Sequence, residues 1–97
     1  MDNMLEMYLY ETNTLLEQLD ELLIEAEKNE DFTTNDVNEI FRIMHTMKSS
    51  SAMMGLNELS ILAHRLEDLF DVFRKDMSKM EGSEQAALEL IFAVSDF

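Results

Sequence analysis

The chain has 97 residues, 46% of them hydrophobic, enough for one small domain with one core (residues 1–97) and too few for a second. With 21 acidic against 7 basic residues it carries a formal charge of -14, which repels DNA, RNA and anionic lipid, so the expected partners are proteins. There is no cysteine, hence no disulfide or thiolate metal site, and no basic leader, membrane-length apolar run or lipidation motif, so a soluble, cytoplasmic chain is expected.

The absence of proline, the two glycines and the wealth of Leu, Met, Glu and Ala predict helices almost throughout. Over residues 3–28, Leu5, Tyr8, Leu9, Leu15, Leu16, Leu19, Leu22, Leu23 and Ala26 recur at three- and four-residue steps, the period of a long amphipathic helix. The polar run 29–34 breaks that period, and Thr34 or Asn35 is the expected cap of a second helix over 35–54. Its inward stripe is Val37, Ile40, Phe41, Met44, Met47, Ser51 and Met54, and Gly55 is its left-handed stop. Asn57 is the expected cap of a third helix, which carries Leu59, Leu62, Ala63, Leu66, Leu69, Phe70 and Phe73 inward and stops near Asp76. Ser60, His64, Glu67 and Asp71 form its polar flank. Residues 77–82 read as a linker, and Ser83 caps a fourth helix with Ala87, Leu88, Ile91 and Val94 inward. Short connections between four such helices specify an all-α, antiparallel up-down-up-down bundle. Leu90, Phe92 and Phe97 widen the last apolar face and predict a further helix beyond the end of this sequence, which then reads as a piece of a larger protein.

At about 100° per residue, His45 lies roughly 120° from the centre of the second helix's stripe, on its flank. Lys48 and Ser49 follow it by three and four positions and share its face, with Ala52 leaving space beyond. A nucleophile with a nearby cation and little steric cover is what a transferable phosphoryl group needs. Arg42, one turn earlier, is a second candidate cation. His45 lies ten residues before Gly55 and Glu67 twelve after it, so the two stand at matching height in a hairpin of helices rising about 1.5 Å per residue. If they meet, Glu67 fixes one ring nitrogen of His45 and leaves the other lone pair to solvent. A neutral imidazole is well populated near neutral pH, the reference pKa being about 6.5. Taken singly, a helical histidine, lysine or glutamate is an ordinary solvated group, and their combination is what points to chemistry. His64, one turn before Glu67, is either a member of that network or a plain exposed histidine.

Other chemistries lack their residues. A di-iron bundle needs Glu three positions before each histidine, where Arg42 and Ile61 stand, and no glycine-rich phosphate loop, calcium loop or Ser-His-Asp set is present. No cofactor is expected in this domain.

The stretch His45-Thr46-Met47-Lys48-Ser49, with Gly55 six residues further on, resembles the histidine-containing phosphotransfer family, whose pattern is His-x-x-Lys-Gly, five residues and Gly. Ile40-Phe41-Arg42 and Leu62-Ala63-His64-Arg65-Leu66-Glu67 resemble the N-terminal domains of CheA-type chemotaxis histidine kinases; the specific likeness covers about residues 40–71. Ser49 departs from the family's glycine but is small enough to keep the site open. The resemblance implies a bundle of four or five helices in which His45 is phosphorylated by a separate ATP-binding domain of a parent kinase, using ATP and Mg, and passes the group to an aspartate of a response-regulator receiver. It further implies that Glu67 orients His45, Lys48 steadies the phosphoryl group and His64 belongs to the surrounding network. The parent would be a cytoplasmic dimer coupled to chemoreceptors, and the isolated domain a monomer. Two alternatives stay open: a phosphotransfer module of another hybrid-kinase relay, and a non-catalytic helical adaptor.

Overall fold

The computed structural model describes residues 3–96, which form an all-α four-helix bundle without strands among those residues. The helices are α1 (Asn3–Asn29), α2 (Thr34–Met53), α3 (Asn57–Lys75) and α4 (Glu84–Asp96). Leu19 and Leu23 of α1, Val37, Ile40 and Met44 of α2, Ala63, Leu66 and Phe70 of α3, and Ala87, Ile91 and Val94 of α4 meet in one core. Of the expected stripes, Leu62 and Leu69 of α3, Leu88 of α4 and Phe41 of α2 are half-buried against this core and the other α3 and α4 positions lie within it, while α2 adds Ile43 and leaves Met54 half-buried.

The turns set the antiparallel order. After α1, Glu30 takes the left-handed conformation (φ 57°) and the Asp31 N–H returns to the Ala26 carbonyl, a helix stop built without glycine. The cap of α2 is Thr33, one residue earlier than expected: its hydroxyl accepts from Asp36 N–H at 3.0 Å while the Asp36 carboxylate accepts from Thr33 N–H at 2.9 Å, a reciprocal capping box. Asp36, three residues after Thr33, selects that cap over Thr34 or Asn35. At the other end of α2, Gly55 is left-handed (φ 76°) as expected, and the Gly55 and Leu56 N–H groups bond back to Ala52 and Ser51. That turn is so tight that Asn57 is already the first residue of α3, and Leu56 occupies the cap position with no side-chain bond. The expected linker contains a 3-10 turn, Met77–Met80, because Asp76 caps it through Ser78 and Met80 is drawn into the core. Ser83 precedes α4, and its carbonyl accepts from Ala87 N–H.

α1 has 27 residues and is about 40 Å long, whereas α4 has 13 and starts beside residues 26–30 of α1. Leu5 and Leu9, expected on the core stripe, are exposed together with Met4, Met7 and Tyr10. Tyr8 is half-buried and shares a hydrogen bond with the buried Ser51 hydroxyl at 3.2 Å, which ties this part of α1 to α2. Leu90 and Phe92 are exposed on α4, and Phe97 lies outside the described residues.

Candidate functional site

The site lies in the seam between α2 and α3. The tight turn at Gly55 makes the two helices an antiparallel hairpin, and the matched register brings His45 opposite Glu67. The His45 Nδ1 lies 2.9 Å from Glu67 Oε1, and Lys48 Nζ lies 2.7 Å from Glu67 Oε2. One carboxylate thus holds both side chains of α2. Ser60, two turns before Glu67, donates its hydroxyl to the Lys48 carbonyl at 3.0 Å and fixes the seam at the same level.

Burial divides the three groups by role. The Glu67 side chain is 12% exposed, Lys48 27% and His45 58%. Burial pushes the Glu67 carboxyl up, but the contacts and charges of Lys48 and His45 outweigh it, so Glu67 is held below its usual range. An ionised carboxylate only accepts hydrogen bonds, so the His45 proton is on Nδ1 and the lone pair is on Nε2. Oε2 has no well-directed hydrogen bond and is balanced by the Lys48 ammonium as an ion pair. Among the described residues none hydrogen-bonds Nε2. A small electrophile can reach it.

The other residues singled out in the sequence stand apart from this trio. His64 is exposed and its ring nitrogen lies 3.6 Å from Asp68, one turn on along α3; the structure does not bring it to Glu67 or His45. Ser49 turns its hydroxyl back to the His45 carbonyl at 3.3 Å, the bond to the preceding turn that helical serines make. Arg42 pairs with Glu39 at 2.9 Å and stays exposed.

Two contributors escaped the sequence reading. Phe41, assigned to the core stripe, stacks on the His45 ring with centroids 6.4 Å apart and planes at 21°. Arg74 of α3 lies over the Phe41 ring at 4.1 Å and is held by Asp71 at 2.7 Å. The available signal was spacing: Phe41 is one turn before His45, and Arg74 is two turns after Glu67 on the same face.

A helical bundle that displays one exposed histidine, gripped at Nδ1 by a buried carboxylate and flanked by a lysine, defines a phosphocarrier class of protein. The sequence comparisons agree: the Hpt domain model matches residues 3–95, and the chain belongs to the Hpt domain family. It is 40% identical over 81 residues to the sensor histidine kinase CheAY of Helicobacter pylori, covering 82% of this chain and 10% of that protein. With the chemotaxis protein CheA of Listeria monocytogenes it shares 37% over 76 residues (76% of this chain, 12% of the relative), and with CheA of Borreliella burgdorferi 34% over 73 residues (75% and 8%). The chain thus spans about a tenth of the length of the curated relatives it matches. No solved structure matches at the same level of significance. As an Hpt domain homologous to the phosphotransfer domain of chemotaxis kinases, the chain is a phosphocarrier and not by itself a catalyst. Among the described residues no group of three or more His, Asp or Glu could hold a metal ion, and no helix is long and apolar enough to cross a membrane.

Proposed function

We propose that residues 1–97 are the phosphotransfer domain of a larger cytoplasmic chemotaxis histidine kinase and that His45 is its phosphoacceptor. The Nε2 lone pair attacks the γ-phosphorus of ATP held with Mg by a separate ATP-binding domain; the N–P bond forms, the bond to the bridging oxygen breaks, and ADP leaves. In the second half-reaction an aspartate carboxylate of a response-regulator receiver attacks the same phosphorus, and the N–P electron pair returns to Nε2.

Each neighbouring residue has one task. Glu67 holds the Nδ1 proton, so charge developing on the ring is shared with a carboxylate, and Lys48 faces the transferred oxygens, whose charge it offsets. Ser49 keeps the approach open. His64, paired with Asp68, acts at most on the rim. The domain itself works as a monomer that meets the kinase and the receiver in turn.

One observation carries this reading: Glu67 occupies Nδ1 of a histidine whose side chain is 58% exposed. Incubation with a cognate kinase and labelled ATP tests it. Label should appear on the wild type and vanish in His45→Gln; an unlabelled wild type would leave a helical adaptor with an inert histidine. Downstream domains of the full-length parent separate a chemotaxis kinase from another hybrid-kinase relay.

A further inference from the structure

Two stripes face each other across the α2–α3 seam. Phe41, His45 and Lys48 stand at i, i+4 and i+7 on α2, and Glu67, Asp71 and Arg74 repeat that spacing on α3. One end of this seam is the His45–Glu67–Lys48 trio. The other end is the stack in which Arg74 lies 4.1 Å from the Phe41 ring centre and Phe41 lies against His45.

A bond at Nδ1 sets the tautomer of His45 and restrains its ring at one edge, but a torsion between a tetrahedral and a planar carbon has broad wells, so a contact on the ring face narrows the rotation further. Rotation about that bond swings the Nε2 lone pair. In-line transfer needs that direction fixed, since reacting atoms must be both close and aligned. The Phe41 ring, at 6.4 Å and 21°, lies in the range of an offset stack and blocks the swing on one face of the imidazole. Phe41 is half-buried and packs against the core, and the ring face left outside that packing needs a support of its own. Arg74 supplies it by a cation–π contact, and Arg74 is anchored by the Asp71 carboxylate at 2.7 Å, whose other oxygen meets Lys75 at 3.0 Å.

We propose that Phe41 and Arg74 are positioning residues for His45, with Arg74 clamping the Phe41 ring and Phe41 fixing the rotation of the imidazole that aims Nε2. α3 therefore controls the histidine twice, at its edge through Glu67 and at its face through Arg74 and Phe41. This rests on His45 being the phosphoacceptor.

The test uses phosphoramidate as donor, so that no kinase docking surface enters, and reads the rate of His45 phosphorylation together with the ring order of His45 in the unphosphorylated chain by NMR. Phe41→Leu should slow phosphorylation about two- to tenfold, the scale of a lost aromatic contact, and loosen the ring while leaving the Nδ1–H tautomer in place. Phe41→Tyr keeps the stack and should hold the wild-type rate. Arg74→Gln should slow the reaction in the same direction, Arg74→Lys should restore part of the rate, and Phe41→Leu with Arg74→Gln should be no slower than Phe41→Leu alone, because both act through one ring. A wild-type rate and unchanged ring order in Phe41→Leu would overturn the proposal, as would equal slowing by Phe41→Tyr or losses that multiply in the double variant. If the wild type takes no label on His45, the phosphoacceptor reading fails, and the ring order still decides whether Phe41 positions the imidazole.

Discussion

The Glu67 carboxylate reaches across the α2–α3 seam to the Nδ1 of His45 at 2.9 Å, and this bond decides which ring nitrogen is free. Replacing Glu67 by Ala removes both the tautomer lock and the partner of Lys48. Phosphorylation of His45 should fall about 10- to 100-fold, the scale on which groups that orient a functional histidine act. Stability should fall by about 1–3 kcal/mol, because Lys48 is left poorly solvated and unpaired. Glu67→Gln should do less harm, since its amide oxygen can still accept from Nδ1–H. Kinase assays and urea unfolding of the two variants check the order.

Lys48 acts on the same carboxylate from the other side. The folded-state pKa of Glu67 is lowered, so in the window between folded and unfolded values the unfolded chain binds more protons. The stability contributed by Glu67 is thus fully present above the ordinary glutamate range and is lost as pH falls through the lower folded value. Lys48→Met should raise the Glu67 titration toward its ordinary value, so that less of the stability is lost in acid. It should also slow phosphoryl transfer by roughly 10- to 100-fold, as loss of a charge-assisted contact implies. Urea unfolding as a function of pH reads the first effect and kinase assays the second.

The turn between α1 and α2 contains one optimised and one unoptimised position. Thr33→Ala removes a capping-box partner and should cost about 1 kcal/mol, lowering Tm by about 4–8 °C. Glu30 holds a left-handed conformation that its side chain disfavours, so Glu30→Gly should raise stability by about 1 kcal/mol. Calorimetry on both variants reads these shifts. Neither should change His45 phosphorylation, as the turn lies at the far end of α2 from the seam residues.

Ser49 spends its hydroxyl on the His45 carbonyl rather than on the ring. Ser49→Gly should therefore leave phosphorylation within about twofold of wild type, with a helix-propensity cost of about 0.5 kcal/mol. Complete loss of transfer in that variant would show the hydroxyl to be essential.

Much of this was readable in the sequence for physical reasons. The apolar period of α3 and α4 picked out their buried faces, Gly55 marked the left-handed stop, and counting from it placed His45 opposite Glu67. Lys48 followed from the helical repeat. What escaped depended on neighbours in space. The helical period of Leu5 and Leu9 matches that of a core residue, yet both side chains are exposed. Phe41 packs against the core as its apolar signal says, but its further contacts with the His45 ring and with Arg74, 33 positions away, depend on neighbours in space. His64 is compatible with either of its two readings from sequence alone. Its position one turn from Glu67 suits a network, yet Asp68 lies as near along the helix and takes it.

The nitrogen of His45 that bears the phosphoryl group is fixed by the Glu67 bond. With Nδ1 bonded to Glu67, phosphorylation by kinase and ATP should place phosphorus on Nε2, giving an acid-labile, base-stable product whose one-bond N–P coupling is seen at Nε2 by nitrogen and phosphorus NMR. Phosphorus on Nδ1, or an acid-stable label on a serine or threonine, would contradict it.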